Sequence, residues 1–288
     1  MGSNGYVIIS PVRNEAAYIE KTIRSVAVQT VKPLEWIIVN DGSKDETANL
    51  IKKYMPECPW IRLVEKEDRG FTQVGKGVIE VFNRGYENIS RNNWDFIVKL
   101  DCDLSFTEGY FEKLINEFAV DGVLGICGGT SFAVENGTRV EEKMPIFHPC
   151  AAARIYSRKC FEEIGGLIEA LGWDTIDLLR AQMRGWTTKR IPHLELSHYR
   201  RMSSRNGLWE GKLRTGRNFF ITGYHPLFLV ARSIYRLKEK PYLIESLGVM
   251  AGYLKAMLKG ESLVVSMEER AFLRRQQMRR LVGFNRTV

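Results

Sequence analysis

The stretch Trp94-Asp-Phe-Ile-Val-Lys-Leu-Asp-Cys-Asp103 leads an apolar segment directly into two carboxylates. Its first part, residues 94–100, is typical of a buried strand in a parallel sheet. Asp101 and Asp103 follow the strand end two positions apart, so their oxygens can surround one hard divalent cation. Two Asp residues at a turn are by themselves more often part of a solvated loop. The segments around this stretch therefore decide its interpretation.

The hundred residues up to this point alternate between apolar segments and segments of helical periodicity. The predicted strands are 6–10, 34–40, 60–64 and 94–100, and the predicted helices are 14–29, 45–54 and 74–86. This alternation predicts an α/β fold with a mostly parallel sheet and helices on both faces. Ligands of such sheets bind beyond the carboxyl ends of the strands. We therefore expect loops 10–15, 40–45 and 100–104 to meet at one edge.

Beyond residue 120 the pattern is weaker. Strands are predicted at 123–126 and within 146–156, helices at 158–164 and 175–183, and a further strand before His198. We expect a catalytic domain at 1–200, divided into a nucleotide-binding half (1–105) and an acceptor and metal half (106–200). Residues 201–288 are expected to form a helical, basic C-terminal extension. From residue 200 onward the chain has 18 Lys or Arg and 6 Asp or Glu, which suggests an anionic partner.

The composition excludes several classes of protein. Hydrophobic residues make up 44% of the chain and charged residues 26%, as in an ordinary globular protein and unlike a disordered chain or coiled coil. We expect no membrane span, because no apolar run reaches about 18 residues, and no secretion signal at the N-terminus. Five cysteines without a CxxC pair disfavour a disulfide framework or a zinc site and predict reduced thiols in the cytoplasm.

The first two loops carry candidate nucleotide contacts. The segment Pro11-Val-Arg-Asn-Glu15 contains no glycine, which disfavours a dinucleotide fingerprint or a phosphate-binding loop. Asp41 follows its strand directly and can accept hydrogen bonds from a base or ribose. Ser43 and Asp45 are better interpreted as turn and helix-cap residues. Lys76 either reaches a phosphate or base, or is a solvated surface lysine.

Three motifs occur in order: Ser10-Pro-Val-Arg-Asn-Glu15, Val39-Asn-Asp-Gly-Ser43 with Asp45 and Thr47, and Lys99-Leu-Asp-Cys-Asp103. Over about residues 6–198 they resemble glycosyltransferase family 2, whose members have a GT-A, Rossmann-like fold. The resemblance implies a nucleotide-diphospho-sugar donor, a divalent cation (Mn²⁺ or Mg²⁺) and transfer with inversion. A UDP-sugar is the first expectation, although the sequence leaves sugar and base open. The residues it assigns to the nucleotide-sugar are Pro11, Val12, Arg13, Glu15, Asp41 and Asp101, with Asp103 on the metal.

The family also implies a catalytic base at the start of a helix. In the segment Gly172-Trp-Asp-Thr-Ile-Asp-Leu-Leu-Arg180, Asp174 lies in the family register, while Trp173 replaces the usual Glu. Asp177, one helical turn later, is the alternative base. Asp174 can also cap the helix. Trp173 either stacks on an acceptor sugar or is a core tryptophan.

A late histidine completes the metal shell in related GT-A enzymes, and His198 is the matching residue here. A lone histidine is otherwise more often structural. Arg200 and Arg201 either neutralise the donor diphosphate or simply begin the basic extension.

These assignments predict an inverting transferase acting on a glycan or lipid-linked acceptor in polysaccharide or cell-envelope glycan synthesis. The alternatives are a sugar nucleotidyltransferase and a non-catalytic nucleotide- or anion-binding module; no nucleic-acid motif occurs. Residues 272–284 alternate apolar and basic positions like an amphipathic surface helix. We expect the C-terminal helices either to dock peripherally on the cytoplasmic face of the inner membrane, or to pack on the catalytic domain or a second copy in a homodimer.

Overall fold

Short apolar segments followed by amphipathic helices build the first half of the sheet. The computed structural model describes residues 5–71, 73–135, 137–200, 207–236 and 243–283. In chain order its first elements are β1 (Tyr6–Val12), α1 (Ile19–Ala27), β2 (Glu35–Asp41), α2 (Thr47–Tyr54), β3 (Ile61–Lys66), α3 (Lys76–Glu87) and β4 (Phe96–Leu100). Strands β1, β2 and β4 are buried almost throughout, which explains their continuous apolar sequences. The four strands pair in parallel, as predicted.

The second half of the sheet is mixed rather than parallel. Its elements are β5 (Leu104–Phe106), α4 (Tyr110–Val120), β6 (Leu124–Glu135), β7 (Thr138–Glu141), β8 (Ala153–Ser157), α5 (Arg158–Glu163) and β9 (Thr187–His198). In the described residues the sheet order is β3-β2-β1-β4-β8-β6-β9-β5, with β7 paired to β6. β8 runs antiparallel to β4 and β6, while β6 and β9 are parallel. The predicted α/β class with flanking helices is confirmed.

The described residues form two compact units. One unit lies within Met1–Glu169 and Arg184–Arg201, and the other within Ala170–Met183 and Met202–Val288. The second unit is helical: α6 (Trp173–Met183), α7 (Leu208–Ile221), α8 (Pro226–Arg236), α9 (Leu243–Leu258) and α10 (Met267–Leu281). Helix α6 is thus grouped with the C-terminal helices, whereas the sequence predicted a domain boundary near residue 200.

Glycines bring α7 and α9 into backbone contact. A Cβ on Gly216 would lie 1.9 Å from the Val249 carbonyl oxygen, and one on Gly252 would lie 2.0 Å from that of Leu213. No larger residue fits either position without moving a helix backbone. No helix in the described ranges has both the length and the apolar character needed to cross a bilayer.

We predict that Gly129→Ala destabilises the first unit by about 2 kcal/mol, because the added methyl group overpacks β6. Its Cβ would lie 2.2 Å from the Leu194 carbonyl oxygen and 2.7 Å from the Tyr110 hydroxyl. Gly122→Ala is the matched control, since a Cβ there meets no atom within 4 Å. Urea unfolding of both variants measures the difference, and equal midpoints would contradict this packing.

Candidate functional site

The carboxyl ends of three adjacent parallel strands form one edge of the sheet. β1 lies between β2 and β4, with Val12 opposite Asn40 and Ile9 opposite Lys99. Neighbouring strands are about 4.8 Å apart, so the ends of β2 and β4 are separated by about 10 Å. Asp41 ends β2, and Asp101 follows β4. The three sequence motifs therefore meet at one edge.

Hydrogen bonds join the loop after β1 to the loop after β2. Asn14, with a left-handed backbone at φ 55°, donates its N–H to Ser43 Oγ (3.0 Å), and its side-chain oxygen accepts the Lys44 N–H (2.8 Å). The Glu15 N–H donates to Thr47 Oγ1 at 2.8 Å. Because the left-handed backbone of Asn14 is incompatible with a right-handed helix, α1 begins after it, at Ile19, and not at residue 14 as predicted.

Asp45 strengthens the same junction. Its carboxylate accepts the N–H groups of Ala16 (3.0 Å) and Thr47 (3.1 Å). Burial raises the pKa of Asp45, but these hydrogen bonds outweigh burial and leave the pKa below its usual value. The predicted cap thus acts one residue before Glu46, the N-cap of α2.

Glu15 and Arg200 form a bidentate ion pair that connects the first motif to the end of β9. Arg200 donates to Oε1 at 2.8 Å and to Oε2 at 2.5 Å, and Glu15 is buried. The guanidinium also lies 5.5 Å from the Tyr18 ring centroid and 4.0 Å from Asp103 Oδ2. Burial opposes the charge of Arg200, yet the contact with Glu15 raises its pKa. Arg201 lies outside the described residues.

Asp103 and His198, the two predicted metal ligands, face each other. His198 Nε2 is 3.5 Å from Asp103 Oδ1, a buried oxygen without a hydrogen-bond partner. Glu142 Oε2 lies 3.1 Å from His198 Nδ1 and accepts a 2.5 Å hydrogen bond from Ser131 Oγ. Burial lowers the pKa of His198, but the two carboxylates outweigh burial and raise it to about 11. The imidazole thus carries a proton between two acids.

This pair has the donor atoms that a divalent cation requires. An unpartnered buried carboxylate oxygen and an imidazole nitrogen suit Mn²⁺ or Mg²⁺ when phosphate oxygens and water supply the other ligands. Binding of the cation would displace the proton from His198 Nε2. Within the described ranges, no group of three or more His, Cys, Asp or Glu side chains forms a complete metal site. Glu142 is placed to orient the imidazole, as a carboxylate behind a metal-bound histidine does.

Asp41 is surrounded by basic side chains. Its Oδ1 accepts from Arg69 (3.0 Å) and Lys66 (3.2 Å), and its backbone oxygen accepts from Arg13. Arg13 also donates to Asp68 Oδ1 at 2.6 Å. The contact with Arg13 is the main reason that the pKa of Asp68 is lowered. The second carboxylate oxygen of Asp41, Oδ2, lies 4.0 Å from Arg13, a longer contact than those that Oδ1 makes with Arg69 and Lys66.

Of the other predicted contacts, Val12 is buried, Pro11 is half-buried, and Lys76 is exposed at the start of α3. None of these three observations assigns a ligand contact by itself.

Two buried cations lie on the strands next to the third motif, and neither was predicted to be functional from the sequence. Lys99, 2% exposed, donates to Asp101 Oδ1 at 2.5 Å. On the neighbouring strand β8, the fully buried Arg154 is its register partner and donates to the Pro149 carbonyl oxygen at 2.7 Å. A charged residue in the middle of an apolar strand is the signal that could have singled out Lys99.

The predicted base lies in the helical unit. Asp174 is half-buried in the first turn of α6, where a carboxylate is favoured by the helix dipole. Asp177 is 2% exposed and accepts the Leu178 N–H at 2.6 Å. Trp173 is buried. Of the two carboxylates, Asp174 is the one that solvent or a substrate can reach.

Comparison with known proteins gives the same family from sequence and the same fold from structure. The family model "Glycosyl transferase family 2" matches residues 7–166. A poly-beta-1,6-N-acetyl-D-glucosamine synthase of Staphylococcus aureus is 29% identical over 142 residues, covering 49% of this chain and 30% of that protein. The chain covers 11–30% of the length of such curated relatives.

Two solved structures share the fold. The mannosyltransferase PcManGT from Pyrobaculum calidifontis, in complex with GDP-Man and Mn²⁺, superposes with a TM-score of 0.62 at 15% identity, covering 89% of this chain and 88% of that one. S. aureus TarS 1–349 in complex with UDP-GlcNAc gives 0.56 at 16% identity, covering 93% and 78%. At these identities the likeness establishes the GT-A fold alone.

We predict that Glu142→Gln weakens Mn²⁺ binding about tenfold, because His198 loses the carboxylate that orients its ring. Glu141→Gln removes the same charge one residue earlier, from a side chain that pairs with Arg190 (3.1 Å), and is the control. Isothermal titration with MnCl₂ in the absence of donor measures both affinities. An equal loss in both variants would indicate a general charge effect and contradict the assigned contact.

Proposed function

The chain belongs to glycosyl transferase family 2, and from this we propose that it transfers a sugar from a nucleotide-diphospho-sugar to a hydroxyl group of a glycan or lipid-linked acceptor. The observation that carries the proposal is the unpartnered oxygen of Asp103, facing His198 at the edge where the three motifs meet. The similarity to a poly-beta-1,6-N-acetyl-D-glucosamine synthase supports a role in polysaccharide or cell-envelope glycan synthesis.

We assign the nucleoside to the edge formed by the first two motifs. Asp41 Oδ2 is the oxygen that would accept an N–H of the base, since Oδ1 already binds Arg69 and Lys66. Pro11, Val12 and Asp101 would line the same edge, and Lys76 would approach the phosphates from α3. A UDP-sugar is the donor that we propose. The neighbours solved with GDP-Man and UDP-GlcNAc show that this fold accepts both bases.

Asp103 and His198 would hold a divalent cation, in keeping with the Mn²⁺ in the PcManGT complex. When bound, the cation supplies Lewis-acid stabilisation of the negative charge on the departing diphosphate. Arg200 adds a fixed positive charge beside Asp103, with its orientation set by Glu15. Arg201 is assigned to the diphosphate by motif position alone.

We propose a single displacement with inversion, in which Asp174 is the base. Its carboxylate takes the proton of the acceptor hydroxyl as that oxygen bonds to the anomeric carbon. The bond from the anomeric carbon to the diphosphate oxygen breaks, and its electron pair leaves with the nucleoside diphosphate. Trp173 is retained as a proposed acceptor contact from its motif position. We place the enzyme in the cytoplasm, with its acceptor at the membrane surface.

A donor screen tests the nucleotide assignment. With Mn²⁺ present, UDP-sugars should raise the melting temperature by several degrees, because ligands that bind only the folded state stabilise it. GDP-sugars and the free sugars are the controls. Product analysis with a bound donor separates sugar transfer from nucleotidyl transfer and from binding alone. A larger shift with GDP-sugars would overturn the uridine assignment.

Replacing the base tests the mechanism. Asp174→Asn should lower turnover by about 10²–10⁴-fold while leaving the affinity for the donor nearly unchanged, since only proton removal is lost. Asp177→Asn is the control, and we expect most turnover to remain because Asp177 is buried. The reverse pattern of kcat values would assign the base to Asp177.

A further inference from the structure

We propose that an exposed apolar surface on α8 and α9 binds the surface of an anionic membrane. We call it the α8–α9 face and define it by Leu227, Val230, Ile234, Leu247, Leu254 and Leu258. The idea that a lipid-linked acceptor is bound near this face rests on the proposed function. As a membrane contact, the face stands on the geometry of the helical unit alone.

Helix α9 is mostly apolar, with the exposed Lys255 in its last turn, and only part of its apolar surface is covered. Val249 and Tyr253 are buried in the small core of this unit, and Gly252 meets the backbone of α7. On the remaining side Leu254 is 47% exposed and Leu258 83% exposed. Exposed leucines grouped on one side of a mostly apolar helix are typical of a surface that contacts a protein or a membrane.

Helix α8 carries a second exposed row with helical spacing. Leu227, Val230 and Ile234 follow one another at intervals of three and four residues and are 61%, 43% and 62% exposed. Contiguous exposed apolar surface of this kind marks an interaction site in soluble proteins. The two rows are therefore candidates for a docking surface.

The rows lie on the same side of the helix pair. The Ser246 hydroxyl of α9 donates to the Ser233 carbonyl oxygen of α8 at 2.8 Å, which joins the end of one helix to the start of the next in a hairpin. Ile234 and Leu247 each follow a contact residue by one position. When two helices are antiparallel, the residues that follow their contact residues by the same number of positions point to the same side of the pair.

Charge favours a membrane over a second copy of the chain. Residues 226–259 contain six Lys or Arg and two Glu, and exposed Lys255 and Lys259 lie beside Leu254 and Leu258. A symmetric dimer would bring these like charges together, whereas an anionic leaflet attracts each of them. Tyr235, 77% exposed at the end of α8, is of the residue type enriched at membrane interfaces.

The sequence predicted membrane docking for the C-terminal helices as a group, with the amphipathic pattern at residues 272–284, and the proposed face lies on α8 and α9. Within the described part of that segment, Leu273 and Gln277 of α10 are buried, and Gln276 donates to Gln182 of α6 at 2.9 Å. Deleting this helix would remove part of the helical unit's own packing. Point substitutions on the α8–α9 face are therefore the better test.

The experiment is co-sedimentation of the full chain with phosphatidylcholine vesicles, with and without phosphatidylglycerol, in the absence of donor and metal. The wild-type chain should pellet with the anionic vesicles. The double variant Ile234→Asp/Leu247→Asp should bind them at least about tenfold more weakly. Val120→Asp/Val123→Asp changes two exposed valines of the other unit and is the matched control, with binding unchanged.

A second variant does not depend on apolar substitutions that could unfold the unit. Lys255→Gln/Lys259→Gln should weaken binding to anionic vesicles about fivefold for each lysine. The same variant should make vesicle binding less dependent on salt concentration. Wild-type binding by both variants would overturn the proposal. A wild-type dimer that fails to pellet, and that Ile234→Asp/Leu247→Asp converts to a monomer, would also overturn it in favour of a second copy. Because no donor is present, loss of vesicle binding is independent of any failure of the transferase assignment.

Discussion

The accumulation of negative charge at one edge of the sheet is the constraint that organises this molecule. Asp41, Asp101, Asp103 and Glu15 follow adjacent strands, and each would be destabilised by the others if it had no counter-charge. Basic side chains supply that charge: Arg69 and Lys66 for Asp41, Lys99 for Asp101, Arg200 for Glu15 and protonated His198 for Asp103. The site is therefore held together by ion pairs, and Asp103 Oδ1 is the acceptor in it that a ligand cation could satisfy.

The parallel half of the fold and the three motifs could be predicted because their signals are local. An apolar run ending in Asp101 specifies a buried strand and the loop after it within a few residues. The mixed half could not be predicted in the same way, because the pairing of β6 with β9 and β8 joins segments far apart in sequence. The helix α4 was missed, although its buried Tyr110, Phe111 and Leu114 follow helical spacing.

Residues that support the site were missed for the same reason. Glu142 contacts His198 across 56 positions, and no motif marks it. Lys66 is paired with Asp41 by the register of β2 and β3, and Arg69 reaches Asp41 from the loop after β3; the sequence specifies neither contact. The amphipathic pattern of residues 272–284 does not reveal that Leu273 and Gln277 are buried within the helical unit. An apolar helix such as α9 has the same sequence pattern whether protein or lipid covers it, so only its exposed side chains distinguish the cases.

We propose that Asp103 and His198 together bind the cation that contacts the donor diphosphate. Anomalous diffraction at the manganese edge, from crystals soaked with MnCl₂ and UDP, tests it most directly. We expect one strong peak within coordination distance of Asp103 Oδ1 and His198 Nε2, adjoining density for the diphosphate near Arg200. Manganese found with the diphosphate at any other part of the chain would contradict it.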